Sequence, residues 1–317
     1  MAEATKFQQH KFGSNDQQRE LNEELFRRMG ISDLEGRTVV EFGLGNGAAA
    51  HHLFNWADSR PKTFIGIEFN PERLDAAVEY LEQQGINALI VEKNYRKQFF
   101  ELELFAEGFP PGVWIAQGNV EDLYWLPHSS VDIITMPHML HLVSSQTNAI
   151  SEARRILTSK GGKLGSVSMY GAKFEVPEVN DFYNAWTRPL GRYFVSKIKS
   201  GDLERGDKVS GPIVDDAGVI QELANGFEPI GDKFIEYMEA AFPREYFESI
   251  ARDDKDFPEG VANGLGINNL PEGIREELSD LLVEAVEPAM KGREVIPRNV
   301  QYITAEITPE FSSSLAS

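Results

Sequence analysis

The stretch Thr38-Val39-Val40-Glu41-Phe42-Gly43-Leu44-Gly45-Asn46-Gly47-Ala48 decides how this chain folds. Thr38 to Phe42 is a short run of β-branched and aromatic residues, the composition of a strand. It ends in three alternating glycines, and Ala48 to Trp56 then reads as a helix. Glycines at a strand-to-helix turn let the backbone bend sharply and let a ligand come close to it. The helix start beyond adds unpaired N–H donors and the positive end of a dipole. A dinucleotide is one reading, because Gly43, Gly45 and Ala48 satisfy the G-x-G-x-x-G/A spacing. Two features tilt against it. Glu41 lies two residues before the first glycine, where it would repel a pyrophosphate, and Gly47 turns the pattern into G-x-G-x-G. A carboxylate at Glu41 suits a cation instead, such as an amino-acid ammonium or a sulfonium.

Outward from this loop, strands and helices alternate. Gln17 to Met29 predicts a helix ahead of it, with Leu21, Leu25 and Phe26 on one face. Thr63 to Phe69 is a second strand, and Pro71 opens a helix reaching about Gln84. Val113 to Gln117, Val131 to Thr135 and Lys163 to Met169 are three more strands, with a helix from Ser144 to Leu157 between the last two. This pattern predicts an α/β fold, a Rossmann-like, doubly wound, mostly parallel sheet with helices on both faces. Glu68, about 20 residues past the loop, is placed to accept hydrogen bonds from both ribose hydroxyls of a nucleoside. After Met169 the alternation loosens. Asp215 to Ala224 reads as helix, Glu228 to Tyr237 as a strand, Met238 to Pro297 as acidic and helical, and Asn299 to Ile307 as a last strand.

Four blocks in this order resemble the class I S-adenosylmethionine-dependent methyltransferases, from Thr38 to Met169. They are Val39 to Gly47; Gly66-Ile67-Glu68-Phe69-Asn70; Gly118-Asn119-Val120-Glu121-Asp122-Leu123 followed by Val131-Asp132-Ile133-Ile134-Thr135; and Glu152-Ala153-Arg154-Arg155-Ile156-Leu157 followed by Gly161-Gly162-Lys163-Leu164. The resemblance implies S-adenosylmethionine as cofactor. Glu41 and the loop glycines Gly43, Gly45 and Gly47 are then expected to hold its methionine end, Glu68 its ribose, and Phe69 to lie beside its adenine. Asn119 and Val120 are expected at the adenine edge, Asn119 standing where the family often has Asp. Met136, expected just past the fourth predicted strand, would flank the cofactor. Residues 87–112 lengthen one connection, and Phe182 to Gly211 and Met238 to Pro297 look like insertions beside the sixth strand. The implied organisation is an N-terminal helical arm or lid over 1–35, the cofactor-binding core over 36–170, remaining core elements with helical lid and substrate insertions over 171–308, and a flexible tail over 309–317.

Methyl transfer requires an aligned acceptor, exclusion of water and, for some acceptors, removal of a proton. His138, in Met136-Pro137-His138-Met139, stands at the sheet's carboxyl edge and is the candidate base or substrate-orienting group. His141 would share its helical face, and Tyr170 follows the fifth predicted strand. No carboxylate pattern accompanies the two histidines, so no metal is expected. The aromatics Phe182, Tyr183, Trp186, Tyr193 and Phe194 read as a helical core or an apolar substrate wall. No Asp/Asn-Pro-Pro-aromatic tetrad, the mark of adenine or amide nitrogen methylation in this family, follows the fourth predicted strand.

Composition narrows the partners. The 317 residues carry a net charge of -19, against a nucleic-acid or anionic-membrane partner. There are no cysteines, so neither disulfides nor thiolate chemistry is possible. The polar start shows no signal peptide and no apolar run approaches a membrane span. The expectation is a cytoplasmic enzyme acting on a small molecule in specialised metabolism, with acceptor atom open and a homodimer compatible with the lid aromatics. A cyclase or isomerase keeping the cofactor without methyl transfer is the alternative.

Overall fold

The computed structural model describes residues 16–91, 109–159, 161–173, 176–204, 206, 213–253, 256–264, 266–267, 270 and 272–308. The chain divides into two compact units. The first, Gln18–Ala172 with Val214–Met238 and the chain from Val300 on, is built on a sheet. It begins with helix α1 (Asp16–Arg28), then β1 (Thr38–Phe42), α2 (Ala48–Trp56), β2 (Thr63–Glu68), α3 (Pro71–Gln83), β3 (Ala88–Val91) and β4 (Gly112–Gln117). It continues with β5 (Ile133–Pro137), α4 (Gln146–Ile156), β6 (Lys163–Ser168), α7 (Asp216–Leu223), β7 (Phe227–Pro229), β8 (Ile235–Pro243) and β9 (Val295–Ile307), the last two shared with the other unit.

The strand order is β3-β4-β2-β1-β5-β6-β9-β7, with β8 also pairing β9. From β3 to β6 every pair is parallel, and β9 runs antiparallel to β6 and β7. The sheet is therefore mostly parallel, as the alternation predicted. Chain order reverses at β1/β5, the switch point where such sheets open a crevice at their carboxyl edge. β1 and β2 are buried along their whole length, so both faces are covered. One face packs Val40, Phe42, Ile134, Met136, Leu164 and Ile303 against Ile150 and Ala153 of α4 and Val219 and Leu223 of α7. Among the described residues no helix is long and apolar enough to cross a membrane.

Several element boundaries differ from the sequence reading. β3 was not predicted; four residues at the sheet edge, with Leu89 and Ile90 exposed, are too short to show a period. The rest of that long connection, 92–108, lies outside the described residues, as do the N-terminal stretch and the tail. β5 is shifted by two residues to Ile133–Pro137. Val131 makes only an isolated bridge to Leu157, and Pro137 closes the strand because the N–H of His138 donates to Val167 O (2.8 Å). The strand expected over Glu228 to Tyr237 is two strands, β7 and β8, separated around Pro229 and Gly231. The stretch expected as helical from Met238 opens with the end of β8 and closes in β9.

The second unit, Lys173–Ile213 and Glu239–Asn299, is mostly helical among its described residues. It holds α5 (Pro177–Trp186), α6 (Arg188–Ser200), α8 (Arg244–Asp253), α9 (Asp256–Gly264) and α10 (Glu272–Met290). Phe182 and Trp186 are fully buried and Phe182 meets Phe247 at 4.4 Å between ring centroids. The indole of Trp186 donates to Leu282 O (2.8 Å). Phe182, Trp186 and Phe194 thus form core, not an apolar wall.

Candidate functional site

The glycine loop connects β1 to α2 at the switch point. Gly43, Gly45 and Gly47 all have left-handed backbones, with φ of 71°, 59° and 83°. The N–H groups of Gly43 and Leu44 both donate to Ile67 O (2.9 Å), tying the loop to β2. A Cβ on Gly43 would lie 2.6 Å from the Cβ of Met139, so a methionine packs beneath the loop. A Cβ on Gly45 would meet nothing within 4 Å. Gly45 therefore leaves an open face where a ligand can reach the backbone. Asn46 Oδ1 accepts from Ala48 N at the start of α2 (3.1 Å).

Glu41 sits at the base of this loop, 1% exposed. Its neighbours in register are Gly66 on β2 and Thr135 on β5, so Glu41 and Thr135 share a sheet face. Glu41 Oε1 and Thr135 Oγ1 are both buried and have no hydrogen-bond partner among the described residues. Burial holds the Glu41 carboxyl well above the usual carboxylate range. A buried acid with an unused oxygen is costly to a fold and suits a cationic or hydrogen-donating ligand. Thr135 escaped the sequence reading because only strand register places it beside Glu41.

Glu68 ends β2. One carboxyl oxygen accepts from Gly45 N (2.8 Å) and the other from Asn70 N (2.8 Å). It thereby joins the loop to the start of α3, where Asn70 Oδ1 caps Glu72 N (2.9 Å). Each oxygen keeps a lone pair for a further donor. Phe69 projects beside it, 73% exposed. The N–H of Gly118, after β4, donates to Glu68 O (2.9 Å), which brings the next turn alongside. There Asn119 is exposed, its Oδ1 accepting from Glu121 N (3.0 Å), and Val120 is buried.

Met136 does not follow its strand as expected. It lies inside β5, pairs with Ser166 and is 1% exposed in the core. The two-residue shift of β5 explains this, and Met139 is the methionine that meets the glycine loop. His138 occupies the turn after β5 with φ 54°, a left-handed conformation that histidine tolerates better than most residues. His141, in the single 3-10 turn Leu140–Leu142, is buried. Its Nδ1 lies 3.2 Å from Ser168 Oγ, and its ring is 4.6 Å from that of Tyr170. The N–H of Tyr170 donates to the same Ser168 Oγ (3.0 Å). Ser168, which holds these two candidate residues, was not singled out by the sequence reading. Among the described residues no group of three or more His, Asp or Glu could hold a metal ion.

A family model described as a methyltransferase domain matches residues 40–164, the stretch from the middle of β1 to the start of β6. That stretch is therefore similar to a methyltransferase domain. No curated protein matches the chain significantly. Among solved structures, the chain is similar to the 4+2 cyclase SpnF, at 17% identity over 92% of this chain and 81% of that one, with a TM-score of 0.49. It is similar to the YcgJ protein of Bacillus subtilis at 16% identity, 90% and 97% coverage and a TM-score of 0.46. It is also similar to geranyl diphosphate C-methyltransferase from Streptomyces coelicolor A3(2), solved with S-adenosyl-L-homocysteine, at 12% identity, 90% and 75% coverage and a TM-score of 0.42.

Proposed function

We propose that this protein is an active S-adenosylmethionine-dependent methyltransferase whose acceptor is a small molecule of specialised metabolism. The observation that carries the cofactor assignment is Glu41, a buried carboxyl with one unused oxygen directly beneath an open glycine loop. In this reading Glu41 takes the ammonium at the methionine end. Gly43, Gly45 and Gly47 let the backbone line that end without side chains. Glu68 accepts from the ribose hydroxyls through its remaining lone pairs, and Phe69 offers its exposed ring to the adenine. Asn119 and Val120 meet the adenine edge, while Met136 acts only as packing behind the site.

When bound, the cofactor supplies an electrophilic methyl on a sulfonium. The chain's own residues supply alignment and proton handling. His138, at the carboxyl edge past β5, orients the acceptor or takes its proton. His141, held by Ser168 and stacked near Tyr170, is a positioning residue for that turn. Tyr170 orients the acceptor from the end of β6. The small-molecule reading is supported by the net charge of -19, which opposes a phosphate backbone, and by the missing Pro-Pro tetrad after β5. The enzyme is read as cytoplasmic, and a homodimer is compatible with this reading.

Calorimetric titration with S-adenosylmethionine, S-adenosylhomocysteine and NADH tests the assignment. Micromolar binding of both adenosyl ligands, with none of NADH, is expected. A screen with labelled methyl groups then reads transfer. Binding without any labelled product from a screen that yields a converted substrate would replace methyl transfer by cyclisation or isomerisation.

A further inference from the structure

The helical unit contains a second concentration of chemistry, unrelated to the glycine loop. Helix α6 carries Arg188, Arg192, Lys197 and Lys199 and no acid, in a chain of net charge -19. Its first turn holds no acidic residue and its N-cap, Thr187, makes no side-chain cap. A helix start favours anions, so cations there are placed against the dipole. Arg188 and Arg192 are also four residues apart, where like charges repel. Lys197 pairs with Asp202 (3.8 Å), but Arg188 and Arg192 make no ion pair among the described residues. Lys291, just after α10, adds a third such cation, and its backbone is left-handed at φ 52°. All three line one concavity of about 840 Å³.

We propose that this concavity binds a small, multiply charged oxyanion, the phosphate or carboxylate end of an organic metabolite. The cations stand unopposed on one side and would be neutralised by such a ligand. Guanidinium forks match phosphate and carboxylate oxygens in pairs. The volume lies within the range of small-molecule sites, about 300–1,000 Å³, whereas a macromolecular surface would be served by a flat basic patch. Asp181 and Asn184 of α5 line the same concavity. Asp181 turns the anionic end toward α6 and accepts a hydroxyl or ammonium from the other end. Val195, 52% exposed on the face that carries Arg188 and Arg192, gives apolar contact between them. The site does not rest on the cofactor assignment above.

The test is calorimetry on the full chain at low salt with inorganic pyrophosphate and, separately, citrate. One-to-one saturable binding of at least one probe with Kd below about 1 mM is expected. Pyrophosphate preferred marks a phosphorylated ligand and citrate preferred a polycarboxylate. The double variant R188Q/R192Q, both residues being exposed, should keep its melting temperature and bind at least about 10-fold more weakly. K291Q alone should weaken binding a few-fold. Saturation by neither probe overturns the proposal. So does undiminished binding by R188Q/R192Q, which would put the anion elsewhere, for example at the glycine loop.

Discussion

Replacing Glu41 by glutamine should stabilise the ligand-free protein at neutral pH while weakening its hold on S-adenosylmethionine. Glu41 is 1% exposed, and burial pushes its folded-state pKa well above the ordinary 4.5. In the unfolded chain it titrates at that ordinary value. A raised pKa contributes stability that is complete below 4.5 and lost as pH rises through the folded value. Within that window the folded state keeps a proton the unfolded state has released. Stability then falls by about 1.4 kcal/mol per pH unit from this group alone. Glutamine has no proton to lose, so the gap between Glu41→Gln and the parent should widen by that amount per unit above pH 4.5. It should level off once the folded pKa is passed. In a domain of this size the widening corresponds to about 3–5 °C of melting temperature per pH unit. Thermal unfolding of both proteins between pH 5 and 8, at fixed ionic strength, reads this directly. Stability curves that run parallel across this range would refute the reasoning, since Glu41 would then ionise normally in the fold. The second half of the prediction has the opposite sign. Loss of a charge-assisted hydrogen bond worth about 1.5–3 kcal/mol should raise the Kd for S-adenosylmethionine by about 10- to 100-fold. General damage to the fold cannot raise stability and lower affinity together.

Gly45→Ala should cost about 1–2 kcal/mol of stability, because φ is 59° and no protein atom lies near the added methyl. It should abolish measurable cofactor binding; calorimetry showing parental affinity would remove the loop from the site. His138→Asn keeps a residue that tolerates the left-handed turn. It should leave cofactor affinity within about two-fold and cut turnover by about 100-fold or more, and unchanged turnover would exclude His138 as the base. His52 is 4% exposed, its Nδ1 lying 3.0 Å from Asn22 Nδ2. Burial first, then the nearby His51 and Arg19 charges, lower its pKa from 6.5 to about 4. Stability supported by the neutral ring is present above pH 6.5 and is lost as pH falls toward 4, about 3 kcal/mol in all. His52→Gln should flatten that acid limb in urea titrations; an unaltered limb would mean the ring is not buried neutral.

The strongest sequence signals were those set by local chemistry. The strand from Thr38 to Phe42, the glycine turn and α2 were readable because each depends on neighbouring residues alone: β-branched residues, then φ above zero, then helix formers. The third-block turn at Asn119 was readable as a motif for the same reason. β3 was not, since four edge residues carry no period. Glu228 to Tyr237 read as one strand because the apolar spacing ran across Pro229 and Gly231 without regard to the turn they make. Met136 was misplaced because the strand was ended at Thr135, whereas its pairing with β6 runs on to Pro137.

From the sequence alone came the parallel α/β class, the glycine loop and the acid before it, since propensity, turn chemistry and charge act within a few residues. Only the tertiary structure decided that Glu41 is buried with an unused oxygen beside Thr135, that Met139 underlies Gly43, and that Ser168 holds His141. It alone also gathered Lys291 to the arginines of α6, about a hundred residues earlier in the chain. Register and side-chain packing join residues far apart in the chain, and the burial that shifts a carboxyl's pKa is a property of that assembled surface, not of the sequence around it.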